Sequence, residues 1–356
     1  MISIEDLREL SRLGDSLCDE VIEFDLADED LSAMTFDEVT FKGISLRNAS
    51  LAEAVFLRCR FEQCDLSGCD LRLSLFTECH LHGCNIANGI LDTTQFNEST
   101  LANCNFEYVT SENAVFRKCN MEKSRLLFDT NVLTLLDSVE LSGTDLSDNV
   151  LEQFTFMHCD LSEVNWSDTS FNRVVFFECD MDGVDLTQRH FQACQFIDSS
   201  LKRALFIRAE LPQCSFKGCQ LQDADFREVT APNALFPHAD LTGADFSGAR
   251  LHQTLWPESC LANCNFSRTL LDMSVFHQAN CENANFSHSD LSFSDFTQAN
   301  LSEILWIQAR LSRTRMHRAL VTDSSLKKQT GVIEKDPDLF EAELFSAHLQ
   351  PGANWS

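Results

Sequence analysis

Ala239-Asp240-Leu241-Thr242-Gly243-Ala244-Asp245-Phe246-Ser247-Gly248 carries the pattern of the whole chain in ten residues. A small residue is followed two places later by a large apolar one, and the arrangement returns after five. Extended both ways, the apolar centre keeps one register from position 26 to position 326. Of those 61 positions, 57 hold Leu, Phe, Ile, Met, Trp or Val; Ser111, Asn131, Ala231 and Cys281 are the exceptions. Five is neither the 3.6 of a helix nor the 2.0 of a strand. It marks a repeat architecture, in which each unit buries its apolar side only by stacking on the next.

Sorting the centres into columns, with every fourth centre in the same column, reveals a second order. The column from Phe36 to Met316 has fifteen members, and twelve are Phe, among them Phe56, Phe76, Phe96, Phe116, Phe156, Phe176, Phe196, Phe216 and Phe236. Another column holds only Leu and Met from Leu81 through Leu101, Met121, Leu141 and Leu161 to Leu261. Every twentieth position therefore chooses alike, as stacked positions do. Residues 109–116 match 229–236 at an offset of six such steps, so Ser111 and Ala231 are matched irregularities.

Further copies are Cys64-Asp65-Leu66-Ser67-Gly68 and Ala299-Asn300-Leu301-Ser302-Glu303. The motif resembles the pentapeptide-repeat family, whose consensus is A(D/N)LXX. The resemblance implies an all-β fold, a right-handed quadrilateral β-helix with four pentapeptides per coil, which agrees with the columns. The centre and the small residue two before it point inward, and the other three face water. At β spacing about 15 coils stack into a rod of roughly 70 Å.

The ends depart from the repeat. Residues 1–20 read as a capping helix and lead-in. Ser3 is the cap, Asp6 stands at the third helical position, Ile2 staples Leu7, Leu7, Leu10 and Leu13 form a stripe, and Gly14 suits the exit. Residues 21–326 form the repeat region, and residues 327–356 a linker and C-terminal helix. That helix opens on Asp336 as cap with Pro337 at its first position, bears Phe340, Leu344 and Ala347 on one side, and ends at Pro351-Gly352. Within the repeat, residues 126–141 are disturbed. Asn131 takes a centre, Asp129 a small-residue slot, and extra apolar residues stand at Leu127, Phe128, Leu133 and Leu135. Phe128, Val132, Leu135 and Val139 have the spacing of a helical face, so a bulged loop, a short helix and a kink are all compatible with the pattern.

The chain carries 55 acids against 27 Lys and Arg, a net charge of −28. The excess is uneven: 30 acids and 11 bases in residues 1–160 (−19), 20 and 13 in residues 161–326 (−7). Such a protein repels nucleic acid and attracts basic partners. No 18-residue apolar run is present, so no membrane span is expected. The first residues lack the layout of a secretory signal, and a cytoplasmic location is expected, with delivery as an effector without such a signal also open.

Chemistry is not evident. Thirteen of the sixteen cysteines lie two residues before a centre, where Ala, Ser, Thr or Val stand elsewhere, so they read as small packing residues with reduced, inert thiols. Cys79-His80-Leu81-His82-Gly83-Cys84 is the nearest approach to a metal signal. Its cysteines should point inward and its histidines outward, which prevents convergence on one ion. Acid pairs one coil apart, such as Asp225 with Asp245, read as echoes of the consensus. The late group Arg310, Arg313, Arg315 and Arg318 reads as a neutralising face near the C-terminal cap. No catalytic set, cofactor site or metal site is expected.

Two functions remain. The first is a non-enzymatic protein-interaction rod: a scaffold, an adaptor, or a secretion-associated effector or accessory protein, the latter roles being ones the family resemblance implies. It would bind a protein partner through its outer faces and helical ends, with Leu127, Phe128, Leu133, Leu135, Phe340 and Leu344 as candidate contacts and homodimerisation through the C-terminal helix as a further option. The alternative, again implied by resemblance, is an acidic DNA mimic that binds a type II topoisomerase (gyrase), like the quinolone-resistance proteins of the family.

Overall fold

A computed structural model of the chain describes residues 2–322 and 330–349. It forms two compact units, Met1–Leu201 and Lys202–Ser356. In both, the centre and the small residue two before it are buried in nearly every repeat, and the other three positions lie mostly at the surface. The third surface position, two after the centre, is held left-handed, with φ of 58° at Glu38, 59° at Asn233 and 78° at Gly243. That residue turns the corner, which is why Gly and Asn recur there.

Unit one opens with α1 (Ile4–Leu13). Asp6 N–H donates to Ser3 Oγ (3.2 Å) and Ser3 N–H to Asp6 Oδ2 (3.1 Å), closing a capping box, and Gly14 exits left-handed at φ 69°. Leu7 is fully buried over the end of the first coil, whereas Leu13 is exposed. The coils begin earlier than residue 21. Ser16–Cys18 pairs with Thr35–Asp37, and Val21–Ile22 with Thr40 and Phe41, each one position short of the regular step. The five-fold register cannot reveal this coil, because the missing residue breaks its phase. From there the pairing is parallel and advances by whole coils, Phe36 on Phe56 and Phe56 on Phe76. One side of the coils makes a ten-stranded sheet from Ser16–Cys18 to Gln195–Ile197. Inside it Phe36, Phe56, Phe76, Phe96 and Phe116 stack, with ring centroids 4.5 to 5.1 Å apart. Phe156, Phe176 and Phe196 continue the pattern beyond Leu136. Each stacked pair contributes about 0.5–1.5 kcal/mol beyond its buried area.

Unit two repeats the arrangement mostly through single bridges, such as Asp225↔Asp245 and Asp245↔Asn265, with a tight turn on each side. Ala244 N–H donates to Leu241 O (2.8 Å) across one such turn. Phe206, Phe226, Phe246, Phe266 and Phe286 form one ladder; Phe216, Phe236, Trp256, Phe276 and Phe296 form another, edge-on to the first at about 90°. The stretch expected to be linker contributes a last rung: Val332–Ile333 pairs in parallel with Thr314–Arg315. Gly331 precedes it at φ 97°, where an added Cβ would collide with the Leu311 carbonyl. α2 (Pro337–Leu349) follows, with Asp336 Oδ1 accepting from Asp338 and Leu339 N–H. Leu326, the first part of the expected linker, and the Pro351-Gly352 stop lie outside the described residues, as does the side chain of Ala347.

Candidate interaction surface

The interior offers packing rather than chemistry. Each small slot lies over the carbonyl of a centre on the preceding coil. Cys59 Sγ donates to Phe36 O (3.3 Å) and Cys69 Sγ to Leu46 O (2.9 Å). Ser124, Thr144 and Thr314 hydroxyls serve the equivalent carbonyls of Leu101, Met121 and Leu291. Burial pushes the Cys64, Cys119 and Cys159 thiols up to about 11 and those of Cys69 and Cys179 to about 12. Thiols so held are protonated and unreactive at neutral pH. Cys79 and Cys84 face inward, bonded to the carbonyls of Phe56 and Phe61, while His80 and His82 line an open groove with Lys42, Arg60 and Glu62. Among the described residues no three His, Cys, Asp or Glu side chains are placed to hold a metal ion.

The consensus acids have a structural task. Asp65 Oδ1 accepts from Ser67 N–H (3.1 Å) and from Asn85 Nδ2 one coil on (3.0 Å). Asp245 does the same with Ser247 N–H (2.8 Å) and Asn265 Nδ2 (3.0 Å). Asp225 accepts from Arg227, backbone and side chain. Each is an Asx turn, and at Asp65 and Asp245 it is locked to the next rung, the reason for Asp or Asn before the centre.

The disturbance at 126–141 is a β-bulge, not a helix or a loop. Arg125–Thr130 pairs with Asn105–Thr110 and slips register on either side of Phe128. The slip turns Phe128 inward in place of Asp129, so Phe128 is only 8% exposed and packs on Phe154 at 5.6 Å. It is therefore not an outward contact, and the helical spacing of Phe128, Val132, Leu135 and Val139 is coincidental. Asn149 secures the bulge: it accepts from Phe128 N–H (3.0 Å) and donates to the carbonyls of Leu126 and Leu146 (both 2.8 Å). Asn131, buried at its centre, reaches Val150 O (2.8 Å) and accepts from Glu152 N–H (2.7 Å). Leu127 and Leu135 are half-buried, and Leu133 is 54% exposed.

Leu135 belongs to a larger feature of unit one that single-stretch reading misses. The outward side of the ten-stranded sheet carries Leu135, Thr155 and Val175 in one row and Met157, Phe177 and Ile197 in the next, directly paired rung to rung. All are half-buried at the surface. Beside them run Glu178 and Asp198. Around the corner stand Glu140, Asp160 and Asp180, bridged as successive rungs. Glu122, Glu140, Asp160 and Glu163 line one shallow groove with Ser142 and Ser162. The sequence columns contain this signal, because acids at 140, 160 and 180 share one row.

In unit two, α2 is pinned to the last coil by polar contacts. His317, 2% exposed, accepts Asp336 N–H at Nδ1 (3.2 Å) and meets Glu343 Oε2 at Nε2 (3.3 Å), which Arg318 also reaches (2.7 Å). Arg310 pairs with Asp290 (3.2 Å) and Arg315 with Asp336 (3.8 Å), so Arg310, Arg315 and Arg318 of the late group meet carboxylates. Phe340 and Leu344 are 44% and 48% exposed.

Residues 35–72, 54–92, 94–126, 219–255, 264–303 and 289–327, together more than half of the chain, match a family model described as pentapeptide repeats (8 copies). Residues 150–226 match a second, described as a pentapeptide repeat region. No curated protein sequence matches the chain. Among solved structures it is similar to a trypsin-treated form of QnrB1, a plasmid-mediated fluoroquinolone resistance protein, at 27% identity over 51% of this chain and 87% of that one, with a TM-score of 0.36. It is also similar to Rfr23 of the cyanobacterium Cyanothece (14%, over 44% and 91%, TM-score 0.25) and to HetL of Nostoc, involved in heterocyst differentiation regulation (16%, over 88% and 97%, TM-score 0.19).

Proposed function

This chain belongs to the pentapeptide-repeat family, and on that premise we propose that it is a non-enzymatic protein-interaction module. It serves as a scaffold, adaptor, or secretion-associated effector or accessory protein, working through its outer faces and helical ends on a protein partner. The observation that carries this reading is the apolar sheet face around Phe177 with its border of carboxylates. A solvated β surface has no packing use for Met157, Phe177 and Ile197 in successive rungs, and a contiguous apolar patch rimmed by polar groups is the mark of a contact surface. The exposed Phe340 and Leu344 of α2 are a second such surface and the seat of any homodimer. Pull-down with the full chain, the variant Phe177→Asp and the double variant Phe340→Asp with Leu344→Asp tests the reading. Each surface that works must cost specific partners when altered; no specific partner for the full chain would refute it.

The stacked acids at 140, 160 and 180 also favour a second reading, mimicry of DNA toward a type II topoisomerase such as gyrase. Supercoiling by gyrase, with and without a quinolone, should then change at micromolar protein; no change discards mimicry.

A further inference from the structure

We infer that the face of Leu135, Met157, Val175, Phe177 and Ile197, with its acidic border, docks a basic amphipathic α-helix laid along the stacking direction. The inference rests on the interaction reading above and names its partner class.

The charge pattern supplies the partner's sign. At several other places in unit one, bases offset acids on neighbouring rungs: Arg58 with Asp37 and Glu38, Lys118 with Glu98 (3.0 Å), Arg117 with Asp137 (3.2 Å). At the near edge His158 Nε2 lies 3.5 Å from Glu178; around the corner this compensation stops. Glu140, Asp160 and Asp180 face one another across consecutive rungs. Their hydrogen bonds come from uncharged groups: Asn120 Nδ2 to Glu140, the Ser162 backbone and hydroxyl to Asp160, and Asp182 N–H to Asp180. Among the described residues no Lys or Arg forms an ion pair with Glu122, Glu140, Asp160, Glu163 or Asp180. Like charges directly opposite on neighbouring strands are destabilising, so a cationic partner gains both its own attraction and relief of that repulsion.

The spacing supplies the partner's shape. Rungs repeat at about 4.8 Å, and a helix advances about 5.4 Å per turn. A helix running along the stack places one apolar residue per turn (i, i+4, i+7) against successive rungs. It drifts by only about 2 Å over three turns, which flexible Met157 absorbs. One flank then presents Lys or Arg to Glu178 and Asp198, and beyond them to Asp160 and Asp180. The same border repels anionic headgroups and nucleic acid.

The test uses full-length protein and a fluorescein-labelled, helix-favouring peptide of about 18 residues, with Leu at i, i+4, i+7 and i+11 and Lys along one flank. Anisotropy should report saturable binding with Kd in the range of about 10–100 µM, weakening with added salt. Phe177→Asp, or Asp160→Asn with Asp180→Asn, should each weaken it about tenfold, as should scattering the four leucines at constant composition. Circular dichroism checks that the variants stay folded, and Ile197→Ser is the milder substitute should Phe177→Asp unfold. Absence of saturable binding to wild type, equal binding of the scattered peptide, or unchanged binding to the folded variants overturns the inference. Specific pull-down partners that persist in the variants would then leave the general interaction reading standing, whereas their absence from wild type as well would remove both.

Discussion

A cysteine two places before a centre is selected for its donor as well as its size. Cys, Ser and Thr in that slot reach the same carbonyl on the coil before. The sequence made the small volume legible, and with it the rejection of thiols as ligands. It did not reveal the acceptor, because that carbonyl is distant along the chain. Alkylation of native protein should modify exposed Cys18 first and partly exposed Cys260 more slowly, with the other fourteen thiols reacting only on unfolding. Rapid native labelling of several more would contradict the packing described. The same logic exposes an unmet donor. Trp256 Nε1 donates to Thr254 Oγ1 (2.9 Å), two residues before it. At Trp166 that position is Val164, and the buried indole N–H has no partner. Val164→Thr should supply the acceptor and raise stability by about 1 kcal/mol. An equal or lower urea midpoint would mean that the new hydroxyl costs more than it satisfies.

At the scale of the element, the bulge at Phe128 shows where periodicity fails. Asn131 marked the place in the sequence, yet the five-fold and helical patterns could not tell a slipped strand from a helix. What decides it is Asn149, one coil further on, which bonds the displaced Phe128 N–H and two carbonyls. Asn149→Ala should therefore cost about 2–3 kcal/mol by stranding buried groups. Limited proteolysis should begin near residues 126–131 in that variant. Cleavage that remains confined to the termini would show the bulge to be held by Phe128 packing alone. The last rung at Val332–Ile333 was hidden for a related reason. Its pairing with Thr314–Arg315 falls two positions short of a full coil and carries no repeat motif, so only its partner strand identifies it.

For the molecule as a whole, the register and its columns made the solenoid legible, because stacking imposes the same choice on every twentieth residue. Net charge was legible too, but its consequence lies in which acids face which. Paired acids stabilise: Arg72 holds the Asp70 carboxyl below its usual range, and His158, then Ser138 and Arg117, do so for Asp137 despite partial desolvation. Because their folded values lie below the unfolded ones, their contribution is present at neutral pH and is lost as pH falls below about 4. The uncompensated row at 140, 160 and 180 acts in the opposite sense at neutral pH. Neighbours one rung apart lie within a Debye length at ordinary ionic strength, about 10 Å at 0.1 M salt, and escape it only near 1 M, where it is about 3 Å. With 55 acids against 27 Lys and Arg, screened repulsion should outweigh screened ion pairs, most of which are exposed and weak. The urea midpoint at pH 7 should accordingly rise as sodium chloride increases from about 0.05 to 0.5 M. Asp160→Asn with Asp180→Asn should raise the low-salt midpoint and reduce that rise. A midpoint that falls with salt, or a salt response untouched by the double variant, would show that ion pairs dominate and that the acidic row stores no repulsion for a partner to relieve.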